Sequence, residues 1–479
     1  MKPRVLLVYP GVLRGGEWGA GPKVKPELVQ TWTVLRRGGI DVEVADLDAD
    51  LGPAAFLNDE TYGDAAEDVA RGLDAAVVAV CCWSALEYRA GIALAEAFRR
   101  HRPGATVVVW GHHPTIRPDD FTFDGTPFDW VVMGDPERTL AAIAGDVAES
   151  GAEPGVCRVG EGEALPLTTA NLPDYAAYPL FETGLDLLGV YLSRGCQYHN
   201  EVCSLGPGGG RWHAFAPDDA VGLLQDLTAL GADEVEVLDP TFGLDNGWRA
   251  ETLRLLGKKS RREALLTVSA RPDALRRADV DAVYAARISL RLNVGTLSST
   301  LMHAQEVPSA SRRLDQALDL IRYLNAKGVS CELDFVFGEP GETRESAGET
   351  LATLEGLIDS FPNTSLRLVG HRWAYLPMGS VDADVEAPAG RYGATIVHPE
   401  WWKEDLDPYE AAHAVIPSAD LAELAPGDDG YWRPRFREVA AAFDDKLTYE
   451  ARNRLRSHES VGSAAADVPH GFYREPRWH

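Results

Sequence analysis

The chain is short of cysteine, short of lysine and free of long apolar runs, and each shortage removes a class of protein. Six cysteines (Cys81, Cys82, Cys157, Cys196, Cys203 and Cys331) scattered over 479 residues do not make a disulfide framework and suit reduced thiols. No stretch approaches the roughly 18 apolar residues of a membrane span. The opening MKPRVLLVYPG reads as a first strand and not as a secretory signal, because its apolar run stops at Pro10 with no small-residue cleavage site. Positive charge is scarce as well: 46 Lys and Arg, only eight of them Lys, stand against 73 Asp and Glu, a formal net charge of -27. Such a surface repels phosphate, which disfavours nucleic acid and anionic membrane and leaves a small-molecule substrate or a protein as the expected partner. The expectation is a soluble, cytoplasmic protein.

What is present is an ordinary globular composition, 45% hydrophobic and 25% charged, in a chain too long for one core. Strand signals over residues 5–9, 42–45, 75–80, 106–110 and 130–133 alternate with helical spacing over 25–37, 89–100 and 137–148. Short apolar strands separated by helices pair in parallel with helices on both faces, so residues 1–150 read as a doubly wound α/β domain. Ligands of such sheets lie beyond the C-terminal strand ends. That rule gathers Tyr9 and Pro10, Trp83 and Ser84, Gly111, His112 and Thr115, and Gly134 and Glu137 around one crevice. No G-x-G-x-x-G opens the first helix, which disfavours a dinucleotide.

Residues 151–185, with Pro166, Pro173 and Pro179, read as a linker. A second strand and helix series follows over 186–375, with strands near 188–192, 234–238, 265–269, 288–292 and 330–337. Its five or six units are fewer than the eight of a closed barrel, so a partial (β/α)6 barrel is expected, with ligands at its C-terminal rim. Residues 376–479 change character, with Trp401-Trp402, Trp432 and one helix over 434–446, and read as a small substrate-facing C-terminal domain of α+β or irregular structure.

The densest chemistry lies in GVYLSRGCQYHNEVCSLGPGGG, residues 189–210. Its apolar run ends in Ser193-Arg194-Gly195, then Cys196 and Cys203 stand on a loop closing in Gly206-Pro207-Gly208-Gly209-Gly210. Soft thiolates on one loop suit a metal. The glycines either bring backbone N–H groups near an anion or form a flexible turn.

A doubly wound domain followed by a partial barrel whose first strand ends in S-R-G-C resembles the cobalamin-dependent radical S-adenosylmethionine enzymes, collinearly over residues 1–375. GHHPTIRP and FDWVVMGDPERTL look like the latter half of that family's cobalamin domain, LSRGCQYHNEVCS its cluster loop, and EVEVLDPTFGLD its second barrel strand with an acidic end. LLTVSARPDAL looks like a following strand ending in arginine and FVFGEPGET like a late barrel turn. The resemblance implies cobalamin against the crevice residues named above, and S-adenosylmethionine at the rim with Asp239 and Arg271 near its ribose or methionyl end. It further implies a four-iron four-sulfur cluster on Cys196 and Cys203, and methyl transfer to carbon in small-molecule, secondary-metabolite biosynthesis. The D-x-H-x-x-G cobalt-ligating motif is missing, so no protein histidine on cobalt is implied.

Three departures bear on that expectation. The family's C-x-x-x-C-x-x-C loop holds three irons and leaves the fourth for S-adenosylmethionine; here Asn200 stands where the second thiolate belongs. Two thiolates need help from another group, with His199 and His213 at hand. Leu297 and Glu339 depart from the family pattern on two later segments. Two alternatives therefore stay open: a cluster-free cobalamin enzyme doing polar methyl transfer or cyclisation, and a non-catalytic cobalamin carrier or sensor.

Overall fold

The computed structural model describes residues 4–11, 24–51, 59–150, 157–182, 185, 187–196, 211–258, 264–371, 390–404, 415–416, 418–421 and 432–455. The first sheet is six-stranded and wholly parallel: β1 (Arg4–Tyr9), β2 (Asp41–Asp46), β3 (Val77–Cys81), β4 (Thr106–Trp110), β5 (Trp130–Met133) and β6 (Arg158–Glu161), in spatial order β2-β1-β3-β4-β5-β6. β3 and β4, VVAVC and TVVVW, are buried at every position, as strands covered on both faces must be.

β6 lies in the stretch read as linker. It pairs with β5 from Trp130↔Arg158 to Met133↔Glu161, and as a mostly exposed edge strand it carries no apolar run. The helices Asp59–Gly72 and Arg277–Ala286 also had no sequence expectation.

The second sheet is also six-stranded and parallel, in order β14-β13-β12-β11-β10-β7. Its strands are β7 (Leu187–Val190), β10 (Glu234–Val237), β11 (Leu265–Ala270), β12 (Ile288–Gly295), β13 (Cys331–Phe337) and β14 (Thr364–His371). A short antiparallel ladder, β8 (Ser193–Arg194) with β9 (His213–Ala214), sits between β7 and β10 in the chain. The architecture is the expected partial barrel.

One face of this sheet is apolar and joins the main core through Val235, Val268, Leu290 and Leu333. The alternating positions carry a buried ion ladder. Arg291 donates from Nε to Glu332 at 2.8 Å and from Nη1 to Glu236, and Arg367 pairs with Asp334 at 2.6 Å.

The two sheets share one core. It runs from Leu7 and Trp32 through Tyr175 and Tyr178 to Leu188 and Val190. Tyr175 donates its hydroxyl to the Gly189 carbonyl at 2.6 Å, and Trp32 meets Tyr178 edge to face at 5.7 Å.

The described residues beyond 390 pack partly onto the two sheets and partly on one another. Trp401 and Trp402 join the outer core of the first sheet with Tyr88 and Phe121. Trp432 stacks on Phe337 at 4.3 Å and joins the barrel's core with Phe436 and Phe443 from the helix Arg433–Lys446. Leu447, Ala451 and Leu455 form a small third cluster.

Candidate cofactor site

Beyond the C-terminal ends of β3 to β6 lies a cavity of about 700 Å³, walled on its far side by the start of the barrel. That volume is within the range of small-molecule and cofactor sites. Three kinds of wall meet there. The first sheet contributes Trp83, Gly111 and His112; the helix Pro26–Arg37 contributes Glu27, Gln30 and Thr31; the barrel side contributes Tyr191, Arg194 and Trp212. Leu165, Pro166 and Pro173, from the stretch read as a plain linker, close a further side.

The sheet wall is backbone where it matters. Gly111 sits at φ +127°, and a Cβ there would run into the Cys82 carbonyl. A Cβ at Gly162 would collide with the carbonyls of Asp135 and Met133. Thr115 ties the two strand-end turns together, donating its hydroxyl to the Gly111 carbonyl at 2.6 Å and accepting the Gly134 N–H at 2.9 Å.

An aromatic row crosses from one domain to the other. The Trp83 ring lies 6.1 Å from His112 and 6.2 Å from Tyr191, tilted 36° and 40°. His112 and His113, neighbours in sequence, separate completely: His112 lines the cavity, whereas His113 is fully buried behind it. His113 lies 2.9 Å from Asp120 through Nε2, among Tyr88, Phe121 and Trp402. Burial holds its imidazole below the usual range and hence neutral.

Two buried contacts hold the start of the cysteine loop. On the barrel flank, Asp239 accepts the Leu192 and Ser193 N–H groups at 2.7 and 3.1 Å and the Ser193 hydroxyl at 2.6 Å. Burial pushes its carboxyl up to about 6 against those three donors. On the other flank, Arg194 reaches Asp135 at 2.6 Å and Glu137 at 2.7 Å. Burial opposes the Arg194 charge, and the two carboxylates outweigh it and raise its pKa.

Cys196 follows two residues later and is 3% exposed. His199, Asn200, Cys203 and the glycine run lie outside the described residues. His213, considered above as an auxiliary ligand, sits 3.1 Å from the Arg211 carbonyl through Nδ1 and 3.3 Å from the Leu165 carbonyl through Nε2. Among the described residues no three His, Cys, Asp or Glu side chains converge as a metal site.

No family model matches the chain, and no curated protein matches it either. Solved structures do match. A radical S-adenosylmethionine methyltransferase, TsrM, from Kitasatospora setae, with tryptophan substrate and a SAM analogue bound, aligns at a TM-score of 0.66 and 17% identity over 94% of this chain and 90% of that one. TsrM with cobalamin and an iron–sulfur cluster bound aligns at 0.64 and 16% over 98% and 100%. The cobalamin-dependent S-adenosylmethionine radical enzyme OxsB aligns at 0.66 and 12% over 99% and 77%. The fold is that of the cobalamin-dependent radical S-adenosylmethionine enzymes.

Within this fold, the residues expected at the crevice and at the barrel rim divide in two. Trp83, Gly111, His112, Thr115, Gly134 and Glu137 line the cavity. The others are not among its lining residues. Tyr9 is in the core and donates its hydroxyl to Glu87 at 2.8 Å; Pro10 is buried beside it. Ser84 caps the following helical turn, its N–H and hydroxyl both reaching Glu87. Asp239 serves the loop as described, and Arg271 pairs with Asp273 at 2.9 Å. The sequence reading missed Gln30, Tyr191, Arg194 and Trp212. Of these only Arg194 carried a signal, its place inside S-R-G-C. No described helix is long and apolar enough to cross a membrane.

Proposed function

We propose that this chain is a cobalamin-dependent S-adenosylmethionine enzyme that transfers a methyl group to a carbon centre of a small molecule in secondary metabolism. The observation that carries the reading is the position of the cavity, between the strand ends of a doubly wound domain and the strand that leads into a cysteine loop. Its walls fit a corrin: bare backbone at Gly111 and Gly162, where the neighbouring turns pack too closely for a Cβ, aromatic surface at Trp83 and Tyr191, and polar groups at Gln30 and Thr31 for peripheral amides. TsrM, a methyltransferase with this fold, has been solved with cobalamin and a cluster, and with tryptophan as substrate.

Bound cobalamin would carry the methyl group, and S-adenosylmethionine would supply it. The chain's own residues bind and align. Trp83 and His112 present ring surface at the first sheet, the aromatic row keeps water out, and Arg194 and Asp239 fix where the cysteine loop begins. Asn200, replacing a thiolate, favours a second reading in which methyl transfer is polar and no radical forms.

The test is anaerobic reconstitution of the full chain with hydroxocobalamin, iron and sulfide, then reduction with S-adenosylmethionine. Stoichiometric cobalamin uptake is expected, and a colourless protein overturns the proposal. Release of 5′-deoxyadenosine establishes the radical reading, and a methylated product without it the polar one. Cobalamin uptake with no turnover across a panel of candidate substrates would mark a carrier or sensor and end the enzyme reading. Iron uptake by Asn200→Cys where the parent takes none would mark the loop as a former cluster site.

A further inference from the structure

We propose that Arg194 is a positioning residue that clamps the start of the cysteine loop to the crevice wall and transmits occupancy of the cavity to Cys196.

Three pieces of chain meet at its guanidinium. Asp135 lies in the turn after β5 and Glu137 opens the helix Glu137–Ser150 that follows, Arg194 ends β8, and the second Asp135 oxygen accepts the Leu165 N–H at 2.6 Å from the connecting stretch. Asp135, Glu137, Leu165 and Arg194 all line the cavity, so a ligand seated there presses on the clamp itself. Only Gly195 stands between Arg194 and Cys196. The opposite flank cannot yield in compensation, because Ser193 is held by Asp239 through both its N–H and its hydroxyl.

Burial makes the clamp firm. Glu137 is 1% exposed, and its carboxylate would be stranded without Arg194. A charged hydrogen-bonded pair in such surroundings resists local opening far better than an exposed one. Among the described residues the clamp thus gives a stiff path from the crevice to the thiol, two residues long.

The test reads thiol alkylation by iodoacetamide, peptide by peptide, in the full-length, iron-free chain. In ligand-free protein, Arg194→Gln should speed alkylation of Cys196 about tenfold or more, the effect of losing a charge-assisted contact from local stability. Cys157 and Cys331 should stay within about twofold, since neither touches the clamp; a general loosening would accelerate all three. Should Arg194→Gln loosen the whole chain, Glu137→Gln decides, because it keeps a neutral partner for the guanidinium while Cys196 must still be the thiol that speeds up. An unchanged Cys196 rate in both variants overturns the clamp.

A second arm rests on the cobalamin reading. Saturating hydroxocobalamin should slow Cys196 alkylation about fivefold or more in the parent chain, the lower end of ordinary site-to-site coupling. In Arg194→Gln that protection should shrink to less than about twofold while hydroxocobalamin still binds. Equal protection in the two proteins would mean direct shielding and overturn transmission. If the parent takes up no hydroxocobalamin, the functional proposal fails, and the ligand-free arm alone decides the clamp.

Discussion

Asp239 holds Ser193 by two hydrogen bonds, one to its N–H at 3.1 Å and one to its hydroxyl at 2.6 Å. An acid at the end of a barrel strand, at the rim where a ligand would be expected, is thus committed to the backbone that leads to Cys196. Among the described residues its two oxygens face three donors and no cation, so burial dominates and its carboxyl is pushed up to about 6.

The pH consequence has a definite sign. An acid whose pKa is higher folded than unfolded makes the folded chain bind the extra proton, so stability falls as pH rises from about 4 to about 6. A rise from 3.8 to about 6 corresponds to about 3 kcal/mol lost across that window. Asp46, likewise pushed up to about 6 by burial, adds a slope of the same sign. Asp239→Asn should remove roughly half of the combined slope, measured by urea unfolding from pH 4 to 7. Its amide keeps the two backbone donors on its oxygen, and the Ser193 hydroxyl can turn to accept from its nitrogen. An unchanged slope would show that Asp239 is ionised throughout.

Gly111→Ala should damage fold and site together. The backbone stands at φ +127°, and the new Cβ meets the Cys82 carbonyl, so β3 and β4 must part at their ends. A cost well above the ~1 kcal/mol of an unstrained glycine change is expected, with loss of hydroxocobalamin uptake. Gly134→Ala, at φ +75° but with its nearest neighbour at 3.4 Å, should cost only about 1 kcal/mol and keep uptake. Thermal melts and visible absorbance of the two variants check the ranking.

How much of this was legible in the sequence follows from where the determining contacts lie. The strands were legible because VVAVC and TVVVW are buried on both faces and leave no polar position to confuse the reading. The crevice was legible because strand ends of a doubly wound sheet converge, which brought Trp83, Gly111, His112 and Gly134 to one wall. β6 was not, since RVGE is an exposed edge whose order comes from pairing with β5. Asp239 looked like a ligand residue because its type and place fit one, and its three bonds to Leu192 and Ser193 depend on a loop some 46 residues away that no local pattern encodes. Trp401 and Trp402 pack on residues some 280 to 320 positions earlier in the chain, Phe121 and Tyr88 among them, a contact no local pattern encodes.

The C-terminal segment should detach from the first domain at a single clasp. Lys403 pairs with Asp120 at 2.9 Å, Asp120 binds His113, and Trp402 lies against His113 and beneath Arg117. Burial works against the Asp120 charge, but His113, Lys403 and Arg117 together bring its carboxyl down to about 2. Asp120→Ala leaves the Lys403 charge without this buried partner and should cost about 3 kcal/mol. Lys403→Met, at a partly exposed position, should cost about 1 kcal/mol or less. In both variants hydrogen exchange should accelerate first in residues 390–404, with the barrel strands unchanged. Uniform acceleration through both sheets would instead make the clasp part of the global fold.

The ion ladder in the barrel gives the most asymmetric expectation. Arg291 is fully buried and stands between Glu236 and Glu332, both also buried, so the three carry one net negative charge. Removing the guanidinium takes from Glu236 its buried cation and leaves Glu332 to Arg367, at 3.4 Å, and Arg291→Met should destabilise by about 3–5 kcal/mol. Removing one acid is different in kind: Glu236→Gln leaves Arg291 paired with Glu332 at 2.8 Å and keeps a neutral acceptor on its other arm. About 1 kcal/mol or less is expected there, since the net charge of the trio falls to zero. Urea unfolding of the two variants checks the ranking, and equal losses would mean that the ladder is held by packing and not by charge.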